Sequence, residues 1–354
     1  MKILVIITGD NPGGIERFVS TFLRELDRRG LSHAIAITRT HGGYYADYYK
    51  ETSTVYYEGN QRRFLMRISF LHKVITKQRP TIVFNLSYWQ GLEGALANRF
   101  RAKYFVSYRS ARKGSKTYSR LKSNLMSLLG SKYLAVSNSV KENMINTHKL
   151  PSSKIWVTGN GIELSNYKNS LTRKVPKNGQ ITILNIANLT PVKNHSVILE
   201  VAKLARDKGL NWKFLIFGDG PQREVLERLV CDYELYDYVD LPGFVDSSTG
   251  LYDEGNIFLI PSLVEGMSQV TMESLASGLP VVGSNVSGIN DLIEHTYNGL
   301  LVDDPKDYHG FFRALSLIIE SDEIYLRYAQ NAAKSSLQFD IQNCIENHLN
   351  VFSK

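Results

Sequence analysis

Short apolar runs alternate with stretches of helical period along most of this chain, the pattern of a parallel α/β architecture. In the first half, runs at 2–8, 33–38, 54–57, 81–86, 103–108, 132–136 and 154–158 predict strands. The stretches 15–29, 64–78, 117–129 and 138–147 predict helices between them. Leu164 to Gln180 is polar and aperiodic, with Pro176 and Gly179, and reads as a linker. A second series opens at Ile181 with ITILNIA and continues with strands at 213–217, 238–241, 257–260, 280–283 and 299–302. Its helices are predicted near 195–207, 221–230, 269–277 and 306–320, followed by 323–335 and 338–352. The expected fold is α/β, two Rossmann-like doubly wound domains facing across a cleft, with ligands at the carboxyl ends of the strands. The first domain is placed at 1–165, a linker at 166–180 and the second domain at 181–335; the helix within 336–354 is expected to return to the first domain.

Composition supports this division. A chain of 354 residues suits two domains, each with its own core. Hydrophobic content of 43% and charged content of 21% are ordinary for a soluble globular protein. Two cysteines, Cys231 and Cys344, exclude a disulfide framework or a cysteine zinc cluster and fit a reducing compartment. The opening MKILVIITGD is too short for a signal-peptide core and reads as a first buried strand. No apolar stretch approaches the ~20 residues of a membrane span, so a cytoplasmic protein is expected.

Charge adds one feature. The formal net charge is +8, and no Asp or Glu occurs from Gly94 to Lys141. Between Arg112 and Leu129, basic residues alternate with Tyr118, Leu121, Leu125, Met126, Leu128 and Leu129. Such a helix fits an anionic membrane surface or an acidic lipid-linked substrate, which would make the protein peripheral at the inner face of the membrane. A solvated face in a basic protein is the plainer alternative. Nucleic acid is not expected, because no helix-turn-helix, zinc module or aromatic RNA-binding signature accompanies the stripe.

The stretch most suggestive of chemistry is Pro261 to Val282, PSLVEGMSQVTMESLASGLPVV. A strand leads into it and a helix follows, so Glu265 lies in the loop and Glu273 inside the helix. Such a unit presents backbone N–H groups and the positive dipole end at a sheet edge, which suits an anion. The two carboxylates would face hydroxyl-bearing parts of the same ligand, as in a phosphate attached to a sugar. A carboxylate at Glu273, where the helix should be half buried, costs desolvation unless it is hydrogen-bonded. Three other loops follow strands. TGDNPGGIERF carries Gly13 and Gly14, which serve either a ligand or a simple turn. NLTPVKNH carries Asn188 and Lys193, the lysine a point charge suited to phosphate. KFLIFGDGP carries Gly218 in a tight loop that lines a nucleotide pocket or merely turns.

The order GGIE, VSNSVKENM, GNGIE, NLTPVKNH, FGDGP, LPGFV, EGMSQVTMESLASGLPVV and SGINDLI resembles glycosyltransferase family 4, polysaccharide-assembly type. Members are retaining, nucleotide-sugar-dependent enzymes of the GT-B fold, and the resemblance runs from Lys2 to about Val302. It implies that Glu265 bonds donor sugar hydroxyls, with Gly266, Met267 and Ser268 close to the sugar and phosphate. Glu273 would hold the ribose hydroxyls, and Lys193 would neutralise the diphosphate, helped by Gly14. The chain departs from the family pattern at three places. Asn188 stands where many members have Arg; Tyr108, Arg109 and Ser110 stand where many carry His; and NGIE, with Asn160, Gly161 and Glu163, replaces NGID. Arg109 resembles a variant in some polysaccharide-assembly members and is taken as a substrate-binding residue.

No Asp-x-Asp pair occurs, so no metal and no resident cofactor is expected. The paired-carboxylate hydrolase template also fits poorly, since both glutamates belong to one loop–helix unit. The expectation is a metal-independent retaining hexosyltransferase-type enzyme. Its partners would be a nucleotide sugar, a UDP-sugar by preference, and a saccharide acceptor, lipid-linked in bacterial surface-polysaccharide assembly. The alternatives are a GDP-sugar-dependent mannosyltransferase, a soluble acceptor, or a non-catalytic nucleotide-sugar-binding scaffold.

Overall fold

A computed structural model describes residues 1–354 except 10–12, 40–41, 44, 58–62, 110–115, 168–178 and 246–249, and the side chains of 116 and 117. Most of the expected linker, together with Ser110 and the start of the basic stretch, lies outside the described residues. The chain forms two compact units: Met1–Ile162 with Ile341–Lys354, and Glu163–Asp340.

The first unit alternates β1 (Lys2–Ile7), α1 (Gly14–Arg28), β2 (Ser32–Ile37), α2 (Ala46–Thr52), β3 (Thr54–Tyr57), α3 (Phe64–Gln78) and β4 (Ile82–Asn85). It continues with α4 (Gly91–Asn98), β5 (Lys103–Tyr108), α5 (Lys116–Leu128), β6 (Lys132–Ala135), α6 (Asn138–His148) and β7 (Ile155–Val157). These strands form one parallel sheet of order β3-β2-β1-β4-β5-β6-β7. Covered on both faces, a central strand is apolar throughout rather than alternating; in KILVII of β1, every residue after Lys2 is buried. Two short helices, α2 and α4, lack a sequence signal. In α4 the helix former is displaced by Gly91 and Gly94, and a Cβ at Gly94 would run into the Tyr104 hydroxyl. The glycines are there for close approach to the sheet, so propensity alone hides the helix.

The second unit contains β8 (Ile181–Ile186), α7 (His195–Asp207), β9 (Trp212–Phe217), α8 (Arg223–Asp232), β10 (Val239–Gly243), β11 (Ile257–Ile260) and α9 (Gln269–Ala276). There follow β12 (Val281–Ser284), β13 (Gly299–Val302), α10 (Tyr308–Ile319) and α11 (Asp322–Ser336). Its parallel sheet has the order β10-β9-β8-β11-β12-β13. Both sheets are therefore doubly wound, reversing direction at β1/β4 and at β8/β11. Crevices for ligands form at such reversals, outside the carboxyl ends of the strands.

The last helix, α12 (Ile341–Ser353), belongs to the first unit. The Ile341 N–H donates to the Ile162 carbonyl at 2.9 Å. Phe352 packs on Phe84 and Phe105 with ring centroids 5.3 and 4.9 Å apart. Arg29, which caps the end of α1, donates to Gln342 at 2.8 Å and pairs with Glu346. The second unit begins at Glu163, ahead of the expected linker, and Tyr167 lies against Tyr252 of that unit at 5.9 Å.

Candidate functional site

In the second unit, four loops meet where the sheet reverses. The loop after β8 is fastened to the loop after β9: Leu189 N–H donates to Asp219 O at 2.9 Å, and Gln222 N–H to Leu189 O at 2.9 Å. Gly218, with φ +136°, makes this contact possible, because a Cβ there would run into the Ala187 carbonyl. Gly218 is thus required by the backbone packing of the loops. Asn194 closes the β8 loop in the left-handed region, φ 58° and ψ 38°. Its amide donates to the carbonyls of Pro261 at 3.1 Å and Pro305 at 2.7 Å, and Leu263 N–H donates to Val192 O at 2.8 Å. Lys193 therefore stands on a loop held from both sides.

Across the reversal, the loop after β11 carries Glu265. Its Oε1 accepts from the Lys193 ammonium and from the Ser262 hydroxyl at 2.9 Å. The two side chains keep 22% and 12% of their surface exposed, so a ligand can reach the pair. Ser268 caps α9, accepting from Thr271 N–H at 3.4 Å and from the Thr271 hydroxyl at 2.9 Å. Glu273 is 1% exposed rather than half buried, and its Oε2 accepts from the Tyr252 hydroxyl at 2.7 Å. That bond offsets part of the cost of burying a carboxylate. Beneath the loop lies Gly288, φ +85°, where a Cβ would come within 2.5 Å of the Gly266 carbonyl. The structure thus places Lys193, Glu265, Gly266, Met267 and Ser268 on adjoining loops, with Glu273 in the helix α9 that follows. Asn188 stands exposed on the β8 loop.

Four contributors had little or no signal in the sequence. Tyr252 sits in no motif, Ser262 lies in the Pro261–Val282 stretch without a signal of its own, and Gly288 lies in SGINDLI. His195 opens α7 beside Lys193; it is 3% exposed and neither ring nitrogen has a hydrogen-bond partner among the described residues. Burial, with Lys193 adding to it, pushes its imidazole down to about 4, so it is neutral at physiological pH.

In the first unit, three sequence motifs converge. Arg109 follows β5, and its Nη2 donates to Asn160 Oδ1 of the GNGIE motif at 2.8 Å. The guanidinium lies 4.0 Å from the ring centroid of Phe18 on α1. Burial lowers its pKa to about 10, opposed by Cys344 and by Glu16 of the GGIE motif. Arg109 is still a cation, and its Nη1 has no hydrogen-bond partner among the described residues. Gly13 is extended, φ −174°, at the N-terminus of α1, and Gly14 is the first residue of that helix. A Cβ at Gly13 would lie 2.5 Å from a Glu16 carboxylate oxygen. A cation with a free donor, beside a helix N-terminus, is suited to an anionic or hydroxyl-rich group.

Residues 12–166 match the family profile "Glycosyltransferase Family 4", and residues 168–335 match "Glycosyl transferases group 1". The chain belongs to glycosyltransferase family 4. This family 4 chain is 35% identical over 185 residues to the amylovoran biosynthesis glycosyltransferase AmsK of Erwinia amylovora, covering 49% of this chain and 44% of AmsK. It is 26% identical over 266 residues to the Escherichia coli UDP-Gal:alpha-D-GlcNAc-diphosphoundecaprenol alpha-1,3-galactosyltransferase, covering 69% and 68% of the two chains. The matches span about half the length of the first curated relatives. Among solved structures, Anabaena Alr3699/HepE in complex with UDP-glucose superposes with TM-score 0.85 at 18% identity, over 100% of this chain and 99% of that one. The fold shared with this structure is the GT-B fold, as expected.

Proposed function

We propose that this chain is a retaining glycosyltransferase of bacterial surface-polysaccharide biosynthesis, moving a sugar from a UDP-sugar to a lipid-linked saccharide. The observation that carries the reading is the Lys193–Glu265 pair across the β8/β11 reversal, with capped α9 and buried Glu273 beside it. Transfer breaks the bond from the anomeric carbon to the diphosphate oxygen, and the electron pair leaves with the nucleoside diphosphate. The acceptor hydroxyl forms the new bond and passes its proton to the departing diphosphate. Positive charge develops at the anomeric carbon and negative charge on the diphosphate. Lys193 and the N-terminus of α9 supply fixed positive charge for the leaving group, and Glu265 supplies acceptors for sugar hydroxyls. Glu273 accepts from the ribose. No resident metal is needed, because these groups carry the neutralising charge. In the first unit, Gly14 and Arg109 are the residues assigned to substrate binding.

The UDP and lipid-linked assignments are supported by the named substrate of the E. coli galactosyltransferase and by the UDP-glucose in the HepE crystal. The surface-polysaccharide role is supported by AmsK. No helix among the described residues is long and apolar enough to cross a membrane, and a peripheral position at the inner face would bring such an acceptor within reach. The test is incubation with a panel of UDP- and GDP-sugars, reading nucleoside diphosphate release with and without a membrane extract. Release from a UDP-sugar that rises with the extract is expected. Turnover of GDP-mannose alone would replace the donor assignment. Tight nucleotide binding without turnover of any donor would favour a scaffold, the reading motivated by Asn188.

A further inference from the structure

Helix α5 is amphipathic the wrong way round for a surface helix. Its buried face is Ser119, Lys122, Ser123 and Met126, at 3%, 5%, 0% and 0% exposure. Its outward face carries Tyr118, Leu121, Leu125 and Leu128, at 58%, 70%, 40% and 78%. Ordinary packing does the reverse, because apolar area left in water forgoes about 25 cal/mol per Å². The inward polar groups are accommodated. Lys122 donates to Trp89 O at 2.7 Å and stands 4.6 Å from the Tyr88 ring centroid, and Ser123 lies 3.3 Å from both Tyr108 Oη and His148 Nδ1.

Two more exposed aromatics extend the stripe. Trp89, 60% exposed, adjoins the middle of α5 through its contacts with Lys122. Phe100, 68% exposed, lies beside Gly130 just past the end of the helix, where a Cβ on Gly130 would meet its ring at 3.2 Å. The charge along this stretch of the chain has one sign, with Glu142 on the neighbouring α6 the first acid after it. Arg99, Arg101 and Arg120 are exposed, and the sequence from Gly94 to Lys141 holds no acid. Glu93, the nearest acid before it, is buried and paired with Arg67 at 2.7 Å.

We propose that the outward face of α5, with Trp89 and Phe100, is a docking surface that lies in the interface of an anionic bilayer. Leucines enter the acyl boundary, Trp89 sits at headgroup level, and the arginines meet lipid phosphates. Three exposed arginines beside the stripe, in a stretch of sequence without acids, favour an anionic lipid surface over a second copy of this positively charged chain. The inference builds on the lipid-linked acceptor reading and locates the surface that would bring the enzyme to it.

The experiment is co-sedimentation of the full chain with vesicles of phosphatidylcholine alone or mixed with phosphatidylglycerol, at low and high salt. Wild type should bind the mixed vesicles, and high salt should weaken the binding. Leu121 and Leu128 are surface residues, so L121Q/L128Q should keep the fold while lowering partition by about tenfold or more. Tryptophan emission should shift to the blue on mixed vesicles, and W89F should lose that shift while Trp156 and Trp212 remain. Equal binding to neutral and mixed vesicles, or unchanged partition of L121Q/L128Q, would overturn the proposal. So would a concentration-dependent dimer that L121Q/L128Q dissociates in the absence of vesicle binding, since a second copy would then cover the face. Donor turnover is read without vesicles. Vesicle binding without turnover would remove the functional reading and leave the surface standing.

Discussion

The ammonium of Lys193 and the carboxylate of Glu265 are paired across the point where the second sheet reverses direction, one following β8 and the other β11. In this ligand-free arrangement each neutralises the other, so a diphosphate must share or displace the partnership. The pair then acts as a unit, and single substitutions should not add. K193A and E265A are each expected to lower kcat on the order of 10²-fold, with the double variant little worse than either. Steady-state kinetics of the two singles and the double check this. Effects that multiply would show that the residues work independently.

Glu273 is a buried carboxylate that accepts from the Tyr252 hydroxyl. Its proposed partner is the ribose. E273A should weaken nucleoside diphosphate binding by roughly 10- to 100-fold, in line with the loss of hydrogen bonds to a charged group. Y252F should weaken it less, because it removes a positioning contact and leaves the carboxylate. Calorimetric titration with UDP measures both. Equal UDP affinity in wild type and E273A would end the ribose assignment.

The strands were legible because a parallel sheet buried on both faces writes itself as apolar runs, as in Ile257–Ile260. The loops carrying Lys193 and Glu265 were legible because each lies between an apolar strand run and a helical pattern. What stayed hidden depends on distance in the chain. Tyr252 meets Glu273 across 21 residues, and nothing local marks it. Arg109 and Asn160 are 51 apart, so their convergence with Phe18 needed the sheet order to be known. Helix α5 could be read as basic and apolar, but which stripe faced outward required its neighbours. Glu273 was expected to be half buried, since the eight-residue helix gives no sign of how closely Tyr252 covers it.

His348 should make the first unit acid-sensitive. Its ring lies among Phe18, Phe22, Phe84 and Phe352, with centroids 5.4–6.1 Å away, and its Nδ1 donates to Cys344 O at 2.8 Å. Burial pushes it down to about 4, and the Arg109 cation adds to this. The ordinary value is near 6.5, so between these limits the unfolded chain takes a proton that the folded chain refuses. Stability is therefore full above about pH 6.5 and declines as pH falls toward about 4, by roughly 1.4 kcal/mol per unit. Melting measured near pH 7 and near pH 5 should show a smaller loss for H348F than for wild type, with hydrogen exchange of α12 as the local readout. Identical losses would assign the acid sensitivity to other groups, among them His195 of the second unit.

Arg109 combines three constraints that lysine cannot meet together: a guanidinium over the Phe18 ring, a bond to Asn160, and a further N–H left over among the described residues. As a substrate-binding residue it should act on turnover rather than on the nucleotide. R109A is expected to lower kcat on the order of 10²-fold while UDP affinity stays within about twofold. R109K keeps the charge but loses the planar fork, and should recover little of the activity. N160A should fall between wild type and R109A, because it releases the guanidinium without removing it. Kinetics with donor held saturating, beside UDP titrations of the same variants, separate the two effects. A purely structural Arg109 would instead lower stability and UDP affinity together. R109A also removes the cation that helps hold His348 neutral, so the folded imidazole should protonate at higher pH and the loss of stability from His348 on acidification should be smaller than in the wild type. Lower turnover together with a smaller acid loss, with UDP affinity unchanged, is the combined signature expected of a cation that serves the substrate from within the core of its own unit.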